Sequence, residues 1–353
     1  MDLSITRATQ LKTKPADGDL TFGTVFSDHM FQMDYDPDHG WHNPRIEPYG
    51  PIAMEPSTMV LHYGQGVFEG LKAFRTAEDA IRMFRPQDNM RRINRSARQL
   101  CIPQLDEAFA LEALKALIDL DRDWVPRTHG TSLYIRPTII AMDPFLGVRA
   151  SHTYRFFVIL GPVGAYYAEG FNPVKIWVTQ DYVRAVRGGV GESKTMANYA
   201  ASLYAGEEAH RQGYTQVLWL DGVEQRYVEE VGSMNICFVI DNELITPELN
   251  GSILPGITRD SVLTLGRQWG LKVTERKITI DEVFEAHDKG TLQEVFGTGT
   301  AAVISPVGEL KYGEKRITIG DGLVGPLAHK LFDAIMDIQY GRSEDPHGWI
   351  VPV

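Results

Sequence analysis

The stretch RGGVGESKTMANYAAS (187–202), lying between the strand-like KIWVTQD (175–181) and a helical pattern, decides how the chain is read. A strand, a glycine-rich loop and a helix invite a nucleotide-binding reading, because Gly188-Gly189-Val190-Gly191-Glu192-Ser193-Lys194-Thr195 nearly fits GxxxxGK[ST]. The fit fails at Ser193, where glycine normally lets the backbone wrap the phosphates. VLWLD (217–221) resembles the Mg²⁺-binding strand of such a fold, but Asp221-Gly222 between two strand-like runs reads better as a hairpin turn. The alternative makes Lys194 an amine nucleophile, which requires its ammonium to lose its proton readily through burial or nearby positive charge. Taken alone, a lysine before a helix is a solvated residue; the rest of the chain changes that reading.

The 353 residues are 43% hydrophobic and 23% charged, with 33 Gly and 19 Pro, which excludes disorder, collagen-like repeats and disulfide miniproteins. The 35 basic against 46 acidic residues give a net charge of −11, which argues against nucleic acid or an anionic membrane as the main partner. Cys101 and Cys237 lie far apart and in no ligand spacing, so neither a disulfide framework nor a metal site is expected, and a reducing compartment fits best. The first twenty residues contain no apolar core of signal-peptide length, and FFVILGPVGAYY (156–167) is too short to span a bilayer. A cytoplasmic protein is expected.

Alternating strand and helix signals predict a mixed α+β chain of two domains. The expected boundaries are a smaller N-terminal domain over 1–163, an interdomain loop over 164–175 rich in Gly, Pro and aromatics, and a larger C-terminal domain over 176–353. Strands are expected at 22–35, 71–86, 132–142, 154–162 and 292–308. Met90, Ile93, Ala97 and Leu100 form one helical face, and further helices are expected from Ala108, from Met196, over ITRDSVLTLGRQW and from Gly322 to Tyr340. Thr279 and Glu282 form a capping box.

A pyridoxal phosphate site would need an acid near the pyridine nitrogen and donors for the phosphate. Pro255-Gly256-Ile257-Thr258 opens a helix whose backbone N–H groups suit an anion, and Gly297-Thr298-Gly299-Thr300 offers hydroxyls and flexible backbone. Each feature is also a common structural device without a ligand.

Several stretches together resemble the branched-chain amino acid aminotransferases of the fold-type IV pyridoxal phosphate enzymes: YGQGVFEGLKAFR (63–75), FRPQDNMRRINRSARQLCIP (84–103), SLYIRPTIIAMDPFLGV (132–148), VGESKTMANYAAS (190–202), EEVGSMNICFV (229–239), ILPGITRDSVL (253–263) and EVFGTGTAAVISPV (294–307). The resemblance implies that Lys194 is the Schiff-base lysine and proton shuttle, that Glu230 partners the pyridine nitrogen, and that Tyr199 bonds the ring hydroxyl. It assigns the phosphate to Arg92, to the backbone N–H groups of Ile257 and Thr258, and to Thr300, with Ser233 also at the cofactor. Without the resemblance, Glu230 would read as a charged strand end and Arg92 as part of a solvated helix face.

The same resemblance implies a largely aromatic substrate pocket of Tyr63, Phe68, Tyr134 and Tyr166, with Met234. Arg136 would engage the second carboxylate of 2-oxoglutarate, and Ala301 and Ala302 would offer N–H groups to the α-carboxylate. Val148 matches a residue that family dimers insert into the neighbouring subunit, so a homodimer is implied. Burying an aliphatic side chain there yields about 1.5 to 3 kcal/mol. The implied reaction is ping-pong amino transfer between L-leucine, L-isoleucine or L-valine and 2-oxoglutarate. Ala302 and Ser305 stand where some relatives carry a redox CxxC, and Thr195-Met196-Ala197 replaces a small, Gly-rich run. A D-amino acid aminotransferase or an aminodeoxychorismate lyase of the same fold is the nearest rival; an NTP-dependent enzyme and a noncatalytic dimeric binding protein are further ones.

Overall fold

The computed structural model describes residues 2–164 and 171–353. It divides into two compact units, one of Met1–Tyr166, Ser193–Met196 and Asp337–Val353, the other of Tyr167–Glu192 and Ala197–Met336. The first unit, expected to be the smaller, therefore holds the larger share of the chain. The C-terminal residues join it because Ile350–Pro352 pairs antiparallel with Ile81–Phe84, and Trp349 packs edge-on against Phe84. No sequence pattern marks that long-range pairing, so 337–353 and 193–196 depart from the expected C-terminal domain.

The first unit is built on a sheet ordered Ser4–Ile5, Gly40–Pro48, His29–Asp36, Tyr154–Val163, Ser132–Ala141, Leu71–Arg75, Ile81–Phe84 and Ile350–Pro352, with Gly66–Phe68 also paired to Ser132–Ala141. The helix Pro86–Gln99 buries Met90, Ile93 and Ala97, the face predicted from spacing. It shares a core with the helix Glu107–Leu120 and with Ile135, Ile139 and Phe156 of the central strands. The strand expected over 22–35 starts only at His29.

In the second unit six strands close into a ring: Val228–Val231, Gln216–Leu220, Val174–Val178, Val303–Tyr312, Leu292–Gly299 and Met234–Ile240, which returns to Val228–Val231. All seven residues of Met234–Ile240 are buried, as a strand covered on both faces requires. The hairpin expected at Asp221-Gly222 exists, but its connection runs from 221 to 227. Asp221 organises that longer loop instead, accepting the backbone N–H groups of Val223, Glu224, Arg226 and Tyr227. Thr279 caps the helix Ile280–Asp288 by accepting from Glu282 N, while the Glu282 carboxylate takes Arg276 rather than closing a capping box. The last helix begins at Pro326, not Gly322.

Candidate active site

Lys194 belongs to the first unit through its backbone. Its N–H donates to Ser96 Oγ at 2.9 Å, and its carbonyl accepts Phe68 N–H at 3.0 Å. Thr195 Oγ1 donates to Gly66 O at 2.8 Å, and Ser193 Oγ bonds Gln99 Oε1. The serine that spoils the phosphate-loop match is thus buried and fixes the segment to the helix Pro86–Gln99, which a glycine could not do. These bonds hold the half-buried Lys194 with Nζ 4.9 Å from the centre of the Phe68 ring.

A second cation lies on the same ring. The Arg136 guanidinium is 4.8 Å from the Phe68 centroid, and Nη2 donates to Tyr134 Oη at 3.0 Å. Tyr134 and Arg136 project to one face of the strand Ser132–Ala141 as i and i+2 neighbours. Gly70 admits the phenol: a Cβ there would overlap Tyr134 Oη. Among the described residues Arg136 has no acidic partner, and its buried Nε makes no hydrogen bond. Phe68 is 9% exposed, whereas Tyr63 is 41% exposed, its hydroxyl donating to Leu146 O. Val148 is 86% exposed. Tyr166 lies outside the described residues.

Arg92 is buried and clamps Glu69 with two nitrogens, Nε to Oε1 at 2.7 Å and Nη2 to Oε2 at 2.8 Å. Asn89 adds a bond to Oε2 at 2.7 Å. Burial pushes the Glu69 carboxyl up, but the charge and hydrogen bonds of Arg92, the charge of Lys194 and the Asn89 bond outweigh it and hold the group below its ordinary range. Glu69 was not singled out from sequence; an acid between two glycine-flanked strands gives no periodic signal. Burial also pushes the nearby strand residue Lys72 down to about 8.

The second unit carries Glu230, 3% exposed, on the strand Val228–Val231. Asn235 Nδ2 donates to its Oε1 at 2.9 Å, and Arg184 Nε lies 2.6 Å from its Oε2, close though not aligned as a hydrogen bond. Arg184 escaped the sequence reading because a loop arginine ten residues before the lysine shows no pattern; in the structure it also donates to Gly191 O at 3.0 Å and to Ser252 O. Gly232-Ser233 makes a two-residue hairpin turn between paired Val231 and Met234, with Gly232 at φ +56°. Glu230, Arg184, Tyr199, Ser202, Ser233 and Leu254 line one cleft.

The helix Ile257–Gln268 starts at Ile257 and Thr258 with Gly256 as N-cap, and no side chain caps it. A Cβ on Gly256 would overlap Asn235 Oδ1, so glycine here keeps Asn235 on Glu230. Thr300, Ala301 and Ala302 form the half-buried turn between paired Gly299 and Val303. Val303 closes that turn at φ +63°, a conformation costly for a β-branched residue. Met234 is buried, its side chain covering Gly297 and Gly299 where side chains would collide with it.

Residues 66–310 match the family described as Amino-transferase class IV. The chain is 58% identical over 342 residues to branched-chain-amino-acid aminotransferase 2 of Bacillus subtilis, covering 97% of this chain and 94% of that protein. Its fold is similar to the crystal structure of the Escherichia coli branched-chain amino acid aminotransferase, with a TM-score of 0.77, 28% identity, and coverage of 92% and 98% of the two chains. The T.th. branched-chain amino acid aminotransferase, complexed with N-(5'-phosphopyridoxyl)-L-glutamate, aligns with a TM-score of 0.74 at 28% identity, covering 90% and 97%. The chain belongs to the class IV aminotransferases and, within them, to the branched-chain-amino-acid aminotransferases.

Proposed function

We propose that the protein transfers the amino group of L-leucine, L-isoleucine or L-valine reversibly to 2-oxoglutarate, in two half-reactions, with pyridoxal 5'-phosphate as cofactor. The observation that carries this reading is Arg136, half-buried against Phe68 and Tyr134 with no acidic partner among the described residues. A guanidinium in an aromatic surround can bind the distal carboxylate of glutamate, while the aromatic faces receive an aliphatic side chain. The ligand of the T.th. enzyme joins the same cofactor to glutamate, which supports the acceptor assignment.

The donor set fits pyridoxal phosphate: a lysine amine, the buried carboxylate Glu230, the phenol of Tyr199, and a helix start at Ile257 and Thr258 beside glycine. When bound, the cofactor withdraws electrons from the substrate carbon that loses its proton. Lys194 Nζ takes that proton and returns it. Glu230 holds a proton on the ring nitrogen, and Tyr199 orients the ring hydroxyl. Arg92, the N–H groups of Ile257 and Thr258, and the hydroxyl of Thr300 bind the phosphate end, and Ser233 also lies at the cofactor. Ala301 and Ala302 donate to the α-carboxylate, and Tyr63, Phe68, Tyr134, Tyr166 and Met234 enclose the side chain.

The protein works as a homodimer in the cytoplasm. Leu61, Leu146 and Val148 are 58%, 61% and 86% exposed, apolar side chains that a second copy would cover, with Val148 reaching the neighbour's pocket. Both cysteines are unpaired, as a reducing compartment favours. No described helix is long and apolar enough to cross a membrane.

The deciding experiment is the visible absorption spectrum of the purified protein before and after L-isoleucine, then 2-oxoglutarate. A cofactor band that L-isoleucine converts and 2-oxoglutarate restores supports the reading. A band that responds only to D-amino acids, or to neither, overturns it. Lys194→Ala should retain cofactor without turnover.

A further inference from the structure

The hairpin of His29–Asp36 and Gly40–Pro48 carries at its tip a side-chain cluster that amino transfer does not use. Asp36 ends the first strand, His39 lies in the turn and His42 is on the returning strand. Ligand-capable atoms of the three lie within 4.8 Å of one another. The register explains the convergence: Asp34 stands opposite His42, so Asp36, two residues on, points to the same face as a diagonal neighbour.

The hydrogen bonds say which nitrogen is available. His42 Nδ1 lies 2.9 Å from Gly40 O, and a carbonyl only accepts, so Nδ1 carries the proton. Nε2 then presents its lone pair, yet it lies 3.5 Å from Asp36 Oδ2, another acceptor. Two facing acceptors repel unless a cation stands between them. His39 Nδ1 lies 2.9 Å from Asp36 Oδ1, whose orientation is fixed by the N–H groups of Asp38 at 2.9 Å and His39 at 2.8 Å. An imidazole anchored through its other nitrogen to a carbonyl, beside an oriented carboxylate, is the usual second layer of a metal site.

We propose that Asp36, His39 and His42 bind one divalent first-row transition ion of the zinc type, with water in the remaining positions. Two imidazoles and one carboxylate favour such ions over Mg²⁺ or Ca²⁺, which take oxygen alone. The side chains are 69% exposed at His39, 35% at His42 and 29% at Asp36, so an ion enters without opening the fold. The absence of cysteine spacing is no obstacle, since the ligands come from a turn and its flanking strands.

The test is calorimetric titration of the holoprotein with ZnCl₂, beside His39→Ala, His42→Ala and Asp36→Asn. The expected result is one saturable ion per chain, weakened at least about tenfold in each variant. Electron paramagnetic resonance with Cu²⁺ should report two nitrogen ligands in the parent and one in either histidine variant, a readout independent of the affinities. Absence of a saturable step overturns the assignment. A step equally tight in all three variants overturns it as well, placing the ion elsewhere.

Discussion

Arg184 Nε lies 2.6 Å from Glu230 Oε2, with the two side chains 8% and 4% exposed. A carboxylate so deeply buried needs a compensating charge, and the role proposed for Glu230 depends on its keeping one. Arg184 is thus a positioning residue for Glu230. Removing one partner of a buried pair costs about 3 to 5 kcal/mol, so Arg184→Met should lower the unfolding free energy by that order, with a lower urea midpoint, and weaken cofactor binding. Equilibrium unfolding and cofactor fluorescence titration check both; Glu230→Gln in the same background should recover part of the stability, since no charge is then left unpaired.

Gly256→Ala should act on Glu230 without touching it. The added methyl would overlap Asn235 Oδ1, and Asn235 Nδ2 bridges Glu230 Oε1 at 2.9 Å and Leu254 O at 2.8 Å. A loss of about 1 to 3 kcal/mol is expected from the forced shift. Gly206, inside the helix Met196–Arg211 with open space where its Cβ would be, is the control: Gly206→Ala should raise stability by about 0.5 to 1 kcal/mol. Thermal melts of the two variants should therefore move in opposite directions.

Arg136→Ala separates the two substrates. A lost charged hydrogen bond of about 1.5 to 3 kcal/mol corresponds to a roughly 10- to 100-fold rise in KM for 2-oxoglutarate. KM for L-isoleucine should change much less, because an aliphatic side chain needs the aromatic faces and not the charge. Steady-state kinetics with each substrate varied in turn measures the split, and equal changes would contradict the assignment.

Asp143 holds the segment that presents Val148. Its carboxylate accepts Thr153 Oγ1 at 2.6 Å, His152 N–H at 2.8 Å, Arg149 Nη1 at 2.8 Å and Thr153 N–H at 3.0 Å. Burial pushes this acid up, but the Thr153, His152 and Arg149 bonds prevail and bring it from 3.8 down to about 2. A folded-state value below the unfolded one contributes stability above the unfolded value and loses it as the pH falls through the folded one. About 2 kcal/mol should therefore disappear between about pH 4 and pH 2. The urea midpoint of the parent should exceed that of Asp143→Asn at pH 6, and the difference should shrink steadily as the pH is lowered from about 4 towards about 2.

Local chemistry was legible in the sequence where it is written in neighbouring residues. The Met90, Ile93 and Ala97 stripe, the helix beginning at Met196 and the strand pair around the GTGT turn all lie where spacing and turn residues place them. What escaped depends on partners far along the chain. Glu69 meets Arg92 across 23 residues, Arg184 meets Glu230 across 46, and Ile350–Pro352 pairs with Ile81–Phe84. Asp221 shows the limit of turn signals: a carboxylate that collects four N–H groups can stabilise a longer loop than its Asp-Gly dipeptide suggests. The role of Ser193 was equally hidden, since nothing near it in sequence names Gln99 as its partner.

The strand Ile350–Pro352 is synthesised long after Ile81–Phe84, the edge it covers. While a ribosome adds the intervening residues, that edge offers unpaired N–H and C=O groups to any neighbouring nascent chain. The first unit consequently cannot complete its sheet before Ile350–Pro352 has been synthesised. Chains cut short before Ile350 should carry an open, sticky margin, and cells should lose them to aggregation rather than to failed chemistry.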